Sequence, residues 1–407
     1  MIHTFLEQGH VTSPAGWRAA TAACAIKKPG RDDLALLLSD RPCAAAALFT
    51  TNTVKAAPVL YDMVLMQRNP GGLRAVVINS GNANACTGSD GDAAALAMVQ
   101  AVEERLGLEA STCFVMSTGT IGVPMPVAKV TQGIAEAAER LSPAHGPALA
   151  RAIMTTDTRP KACAVRVELP SGGVCHIGGM AKGAGMIHPN MATMLAVVTT
   201  DAALPSDTLD AALRHVADRS FHSISIDGDT STNDTLLVLA NGAAGLPPIT
   251  DMQSPDGQAF LQGLLAVCQR LAQEIVRDGE GATRFVTITV RGATSDADAH
   301  LAAMTVAKSP LVKTALFGAD PNWGRVLCAM GYSGATLDPN RVVLHFGGLK
   351  VLENGLPLDF DEKAAHNLLN VPEVQIEADL GLGDGAATVW TCDFSYDYVK
   401  INAEYRT

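Results

Sequence analysis

Apolar positions along the chain fall into short runs and longer periodic stretches that alternate. Leu73–Asn79 is a β-branched apolar run ahead of a Gly/Asn turn, which predicts a buried strand. Asp92–Leu106 is alanine-rich with helical spacing. Cys113–Met116 reads as a short strand ending in Ser117-Thr118-Gly119. Pro126–Leu141 opens on proline and predicts a helix. Cys163–Leu169 alternates as a half-buried strand does. Thr193–Thr199, Asp234–Ala240, Phe285–Val290, Arg341–Phe346, Val374–Ala378 and Thr388–Phe394 also read as strands. Ser206–Phe221 predicts a helix with Ser206 at the N-cap and Asp207 and Asp210 in its first turn. Ala259–Val276 is a strongly amphipathic helix. The mixture predicts an α/β or α+β fold whose sheets are covered by helices.

Composition narrows the function classes. The length of 407 residues suits two or three domains, or one large domain with a subdomain. Hydrophobic residues make up 48% but aromatics only 4%, so the core is expected to consist of closely packed small side chains. A net charge of −11 with no basic cluster argues against a nucleic-acid partner. The nine cysteines are scattered, odd in number and never spaced C-x-x-C. They predict no disulfide framework and a reducing compartment. The first residues, MIHTFLEQGH, lack a basic segment followed by an apolar one, and no run of about 18 apolar residues exists, so a cytoplasmic protein without a membrane span is expected. The ten histidines show no H-E-x-x-H spacing, and no metal is expected. LGLGDGAA at Leu380–Ala387 hints at a dinucleotide loop but lacks the βαβ context.

The densest chemistry lies in GGMAKGAGMIHPNMATMLAVVTTD, Gly178–Asp201. Glycines permit close backbone approach, and such a segment can hold a strained peptide bond. A threonine hydroxyl is a weak nucleophile until a base takes its proton, and its own α-amine, titrating near neutrality, is suited to that task. Thr193 acquires a free amine only if the chain is cut after Ala192. Read from the residues alone, the same stretch equally describes a turn or a phosphate cradle before an ordinary strand.

KGAGMIHPNMATML resembles the K-G-[SA]-G-M-I-x-P-N-M-A-T-M-L signature of the ornithine acetyltransferase family. FTTN at Phe49–Asn52, NSGNANACTG at Asn79–Gly88, STGTIG at Ser117–Gly122 and MTTDT at Met154–Thr158 are similar to further family landmarks. So are DGDTSTNDT at Asp227–Thr235, GEGATRF at Gly279–Phe285, FGADPNWGR at Phe317–Arg325 and NAEYRT at Asn402–Thr407. The resemblance implies self-cleavage into an α chain, residues 1–192, and a β chain, residues 193–407, interlocked in one fold. It implies an acetyl group carried by Thr193 from N-acetylornithine to glutamate, with Thr118 and Gly119 as the oxyanion hole. It implies Thr156, Lys182, Thr193, Glu280, Asn402 and Thr407 as substrate contacts, Thr155 being adjacent to Thr156 and an alternative to it.

For Asn402 and Thr407 to serve, the C-terminus must be docked, and the alternation of Tyr398–Asn402 suggests a final strand. His188, inside the signature, is expected to have no catalytic role. No cofactor is implied, and whether acetyl-CoA is a second donor stays open. Two α/β pairs are expected to associate. A self-processing amidase or aminopeptidase that hands its acyl group to water would use the same nucleophile. A structural protein whose threonine is never freed is the remaining alternative.

Overall fold

The computed structural model describes residues 3–188 and 194–404. Ala192, Thr193 and Thr407 lie outside the described residues.

The larger sheet joins nine strands among the described residues. Their order is His3–Phe5, Lys161–Glu168, Val174–Lys182, Leu195–Thr200, Thr235–Ala240, Leu34–Phe49, Leu73–Asn82 and Cys113–Thr120, with Trp17–Ala22 also paired to Leu34–Phe49. The two-residue period of the strands explains how this sheet packs. Ala75 and Val77 face the helices Gly88–Leu106 and Val127–Ala138, meeting Met98, Val102, Val130 and Ile134. Val76 and Ile78 face the opposite way, into a core shared with Leu195, Val197, Leu237 and Leu239 from the other half of the sheet. The alternate residues on those strands, Ala196, Val198, Leu236 and Val238, face the helices Ser206–Asp218 and Pro255–Arg277. The result is four layers: helices, sheet, sheet, helices.

The long strand Leu34–Phe49 runs through both halves. Its residues 34–38 pair with Leu73–Asn82, and its residues 44–49 with Thr235–Ala240. The register breaks between Leu38 and Cys43, where an irregularity lets the sheet turn.

A second sheet joins seven strands among the described residues, and its neighbouring strands Phe285–Ala293 and Gly385–Cys392 carry the helix Asp296–Lys308. Val286, Ile288 and Val290 form its core with Ala299, Ala303 and Val306.

The strands and helices predicted from periodicity are present, with two differences. Ser206 is not the N-cap: Pro205 holds that position, and the Ser206 hydroxyl donates to the Pro70 carbonyl at 2.9 Å, a tertiary contact. Tyr398–Asn402 is not a strand but part of the helix Tyr396–Glu404. Over five residues the alternation also satisfies an i, i+4 spacing. Tyr398 stacks on Phe394 with ring centroids 4.6 Å apart, and Asn402 Nδ2 donates to the Tyr398 carbonyl one turn back, at 3.0 Å.

The chain leaves the larger sheet at Lys182 and re-enters at Leu195, and these two residues pair directly. The junction of residues 192 and 193 therefore falls between neighbouring antiparallel strands of one sheet. Residues on either side of it share a core.

Candidate active site

Thr118 and Gly119 end the strand Cys113–Thr120, in parallel register with Ser80 and Gly81. Gly119 has φ +136°, and a Cβ there would lie 2.3 Å from the Gly81 carbonyl carbon and 2.5 Å from Asn82 N. Only glycine permits that approach of backbone to backbone. Asn233 locks the same strand end, its Nδ2 donating to the Ser117 carbonyl at 2.8 Å and the Ala83 carbonyl at 2.6 Å. Thr118 is buried, and its hydroxyl oxygen accepts from Lys182 Nζ at 3.3 Å. The threonine's own proton is thus free to be donated elsewhere.

Lys182 is buried rather than solvated. Burial pushes its ammonium below the ordinary lysine range, while the charge of Asp157 draws it back. Asp157 is the hinge of a buried network. Its Oδ1 accepts from Lys161 Nζ at 2.7 Å and Gly183 N at 2.7 Å, and its Oδ2 accepts from Thr155 N at 3.0 Å. Burial would raise the Asp157 carboxyl, but Lys182, Lys161 and the Gly183 N–H prevail and hold it at about 2. Lys161 also donates to Asp278 Oδ2 at 2.5 Å, and Asp278 accepts from both the N–H and the hydroxyl of Thr158. One set of charges thereby joins the segment Thr155–Thr158, the start of the glycine loop and the turn carrying Glu280.

Glu280 is 9% exposed, so it is not an ordinary charged turn residue. Its N–H donates to the Ala184 carbonyl at 2.8 Å, and its Oε2 accepts from Asn402 Nδ2 at 2.9 Å. A Cβ on Gly185 would lie 2.4 Å from that carboxylate, so glycine there leaves room for Glu280. The C-terminal helix is docked by this contact. Beyond Gly185, the N–H groups of Met186 and Ile187 donate to Asp227 at 2.5 and 2.8 Å.

On the return limb, Met194 N donates to Asp234 Oδ1 at 3.0 Å. Burial raises the Asp234 carboxyl well above the ordinary range. Its Oδ2 makes no hydrogen bond of normal geometry among the described residues, although the Ser231 and Thr50 hydroxyls lie beside it. The Met194 contact ties the residue next to Thr193 to this buried carboxyl.

Thr118, Gly119, Thr156, Lys182, Glu280 and Asn402 all line one cavity of about 150 Å³. They come from a strand end, a loop, a second strand end, a turn and the final helix. Thr155 lines it as well as Thr156, so both threonines are placed there. His188 does not line it. Sequence reasoning missed Asp157, Lys161, Asp278, Asn233 and Asp234. MTTDT and DGDTSTNDT stood out as landmarks, but nothing in them tells which acid or amide turns inward. Lys161 had no signal at all.

The chain matches the ArgJ family over residues 18–407. It is 54% identical over 401 residues to the "Arginine biosynthesis bifunctional protein ArgJ" of Symbiobacterium thermophilum, covering 98% of this chain and 99% of that protein. It is 52% identical over 394 residues to the protein of the same name from Geobacter sulfurreducens, covering 96% of this chain and 99% of that one. The crystal structure of the ArgJ protein of Bacillus halodurans is 40% identical and superposes with a TM-score of 0.49 over 51% of this chain and 97% of that one. Matched nearly end to end, this chain belongs to the ArgJ family.

Proposed function

We propose that this chain is an acyltransferase of arginine biosynthesis that exchanges an acetyl group between N-acetylornithine and glutamate, using Thr193 freed by self-cleavage. The observation that carries this reading is the single cavity joining Thr118, Gly119, Thr156 and Lys182, before residue 193, to Glu280 and Asn402, after it. Lys182, which lines this cavity, pairs with Leu195, two residues beyond Thr193 in the sequence, which supports this reading.

In self-cleavage the Thr193 hydroxyl attacks the Ala192 carbonyl carbon. The O–C bond forms, the peptide C–N bond breaks and the departing amine takes a proton. Water then hydrolyses the ester, leaving a carboxylate on Ala192. In turnover the freed α-amine accepts the hydroxyl proton as Oγ attacks the acetyl carbonyl of N-acetylornithine. Ornithine leaves with a proton, and the glutamate amine takes the acetyl group from Thr193.

Each step develops negative charge on one oxygen. The Thr118 hydroxyl, polarised by the Lys182 ammonium behind it, and the Gly119 N–H are the donors for that charge. The Glu280 carboxylate suits an ammonium group of ornithine. Acetyl-CoA as a second donor to glutamate is compatible with the same acetyl-Thr193 intermediate. Two α/β pairs in the cytoplasm are the expected assembly and location.

The deciding assay supplies N-acetylornithine and glutamate and measures N-acetylglutamate and ornithine. Release of free acetate alone would identify a hydrolase instead. Thr118→Ala should slow transfer by roughly 10²–10³-fold, as loss of one oxyanion donor does; an unchanged kcat removes Thr118 from the site. Gly185→Ala should displace the Glu280 carboxylate from Asn402 and raise KM for N-acetylornithine by about tenfold, because a lost charge-assisted contact costs about 1.5–3 kcal/mol. An unaltered KM would show that Glu280 does not hold substrate.

A further inference from the structure

A second cavity, of about 960 Å³, opens between the helix Asp296–Lys308, the strands Phe285–Ala293 and Gly385–Cys392, and the end of the helix Ser206–Asp218. Its volume lies within the range of about 300–1,000 Å³ typical of small-molecule sites. It is far larger than the reaction cavity.

Three cations line it: Arg219, Arg291 and Lys308. Among the described residues none of the three pairs with a carboxylate. Arg219 Nη1 reaches only His215, at 3.4 Å to the ring and 3.2 Å to the carbonyl. Lys308 Nζ reaches only His188 Nε2, at 3.4 Å. The two acids of the cavity are already engaged, Asp218 with His222 Nδ1 at 2.9 Å and Asp296 with the Ala386 N–H at 2.9 Å. Three cations against these two carboxylates leave the lining one positive charge in excess, in a chain whose net charge is −11. A local reversal of sign inside a concave, low-dielectric wall concentrates anions there. Burial and the neighbouring Lys308 push the His188 ring down to about 4, so at neutral pH it accepts from Lys308 and adds no charge of its own.

His188 also links the two cavities. It lines the larger one, and Met186, two residues earlier, lines the reaction cavity. The residues between are pinned. Met186 N and Ile187 N donate to Asp227, and the Ile187 carbonyl accepts from Ile226 N at 2.8 Å. Met186 holds φ +58°, a conformation that a side-chain-bearing residue rarely adopts. A short segment held by these hydrogen bonds thus presents one end to each cavity.

We propose that the larger cavity is a second binding site, for a multivalent small anion held by Lys308, Arg219 and Arg291, and that its occupancy alters the reaction cavity through Met186–His188. Phosphorylated and polycarboxylate ligands share this chemistry, so inorganic pyrophosphate and citrate are the two probes. Each is titrated calorimetrically into the whole protein at low salt, alongside Lys308→Glu and the milder Lys308→Gln. Acetyl exchange is followed in parallel. At least one probe should bind saturably. Both variants should weaken it, Lys308→Glu by tenfold or more. The bound probe should change kcat or KM of the wild type at least twofold and leave Lys308→Glu unaffected. No saturable binding of either probe, binding undiminished in both variants, or binding without effect on turnover overturns the proposal. A protein that binds the probe but exchanges no acetyl group would instead count against the catalytic reading, since calorimetry does not depend on it.

Discussion

Thr193→Ala is expected to give one intact chain of 407 residues and no measurable acetyl exchange, where the wild type is expected to give two fragments, of 192 and 215 residues. The substitution removes the attacking oxygen for both events. Alanine also leaves the α-amine blocked in a peptide bond, so neither nucleophile nor base remains. Where groups act as one unit, losing the nucleophile alone costs nearly everything; a loss of at least about 10⁴-fold is expected. Intact mass spectrometry and the exchange assay read the two outcomes separately. Thr193→Ser should retain cleavage, because it keeps the hydroxyl at the same carbon. A cleaved, active Thr193→Ala protein would sink the mechanism.

Asp157→Ala has the second largest expected effect, and it falls on stability as well as turnover. Lys161 and Lys182 are both buried, and Asp157 is the carboxylate that neutralises them jointly. Removing one partner of a buried ion pair leaves uncompensated charge and costs about 3–5 kcal/mol. Lys161 keeps Asp278, but the Gly183 N–H loses its acceptor and Lys182 the opposing charge that acts on it most strongly. The melting temperature should therefore fall, and surviving protein should have a low kcat, because the Lys182 ammonium no longer stands behind Thr118.

The pH dependence gives an independent reading. The Asp157 carboxyl is held at about 2 in the fold, below its ordinary 3.8. Its contribution is thus fully present above pH 3.8 and is lost as pH falls through about 2. Over that window the stability gap between wild type and Asp157→Ala should narrow by about 2 kcal/mol. A gap independent of pH would show that Asp157 does not carry its charge in the fold.

Much of the secondary structure was legible from periodicity. Leu73–Asn82, Cys113–Thr120 and Leu195–Thr200 are short apolar runs bounded by turn residues, and Pro255–Arg277 shows a long amphipathic period. Tyr396–Glu404 was misread because five residues cannot separate alternation from helical spacing, and its side chains are not buried in a core that would impose a period. Leu34–Phe49 carried no clear signal because its two halves belong to different layers and its alanines face different neighbours.

The site divides along the same line. By itself the sequence, through its family resemblance, pointed to the proposed reacting atoms. A threonine in a glycine-rich segment, with a second Thr-Gly pair after a short strand, is local chemistry that local pattern and family resemblance can identify. Only the tertiary structure decided the charges around them. Asp157, Lys161, Lys182 and Asp278 come from three separated stretches of chain, and nothing in any one stretch shows that it will be buried against the others. Burial converts these four residues from surface charges into a network that orients Lys182 behind Thr118. The energy of a charge depends on what surrounds it, and that is a property of the fold.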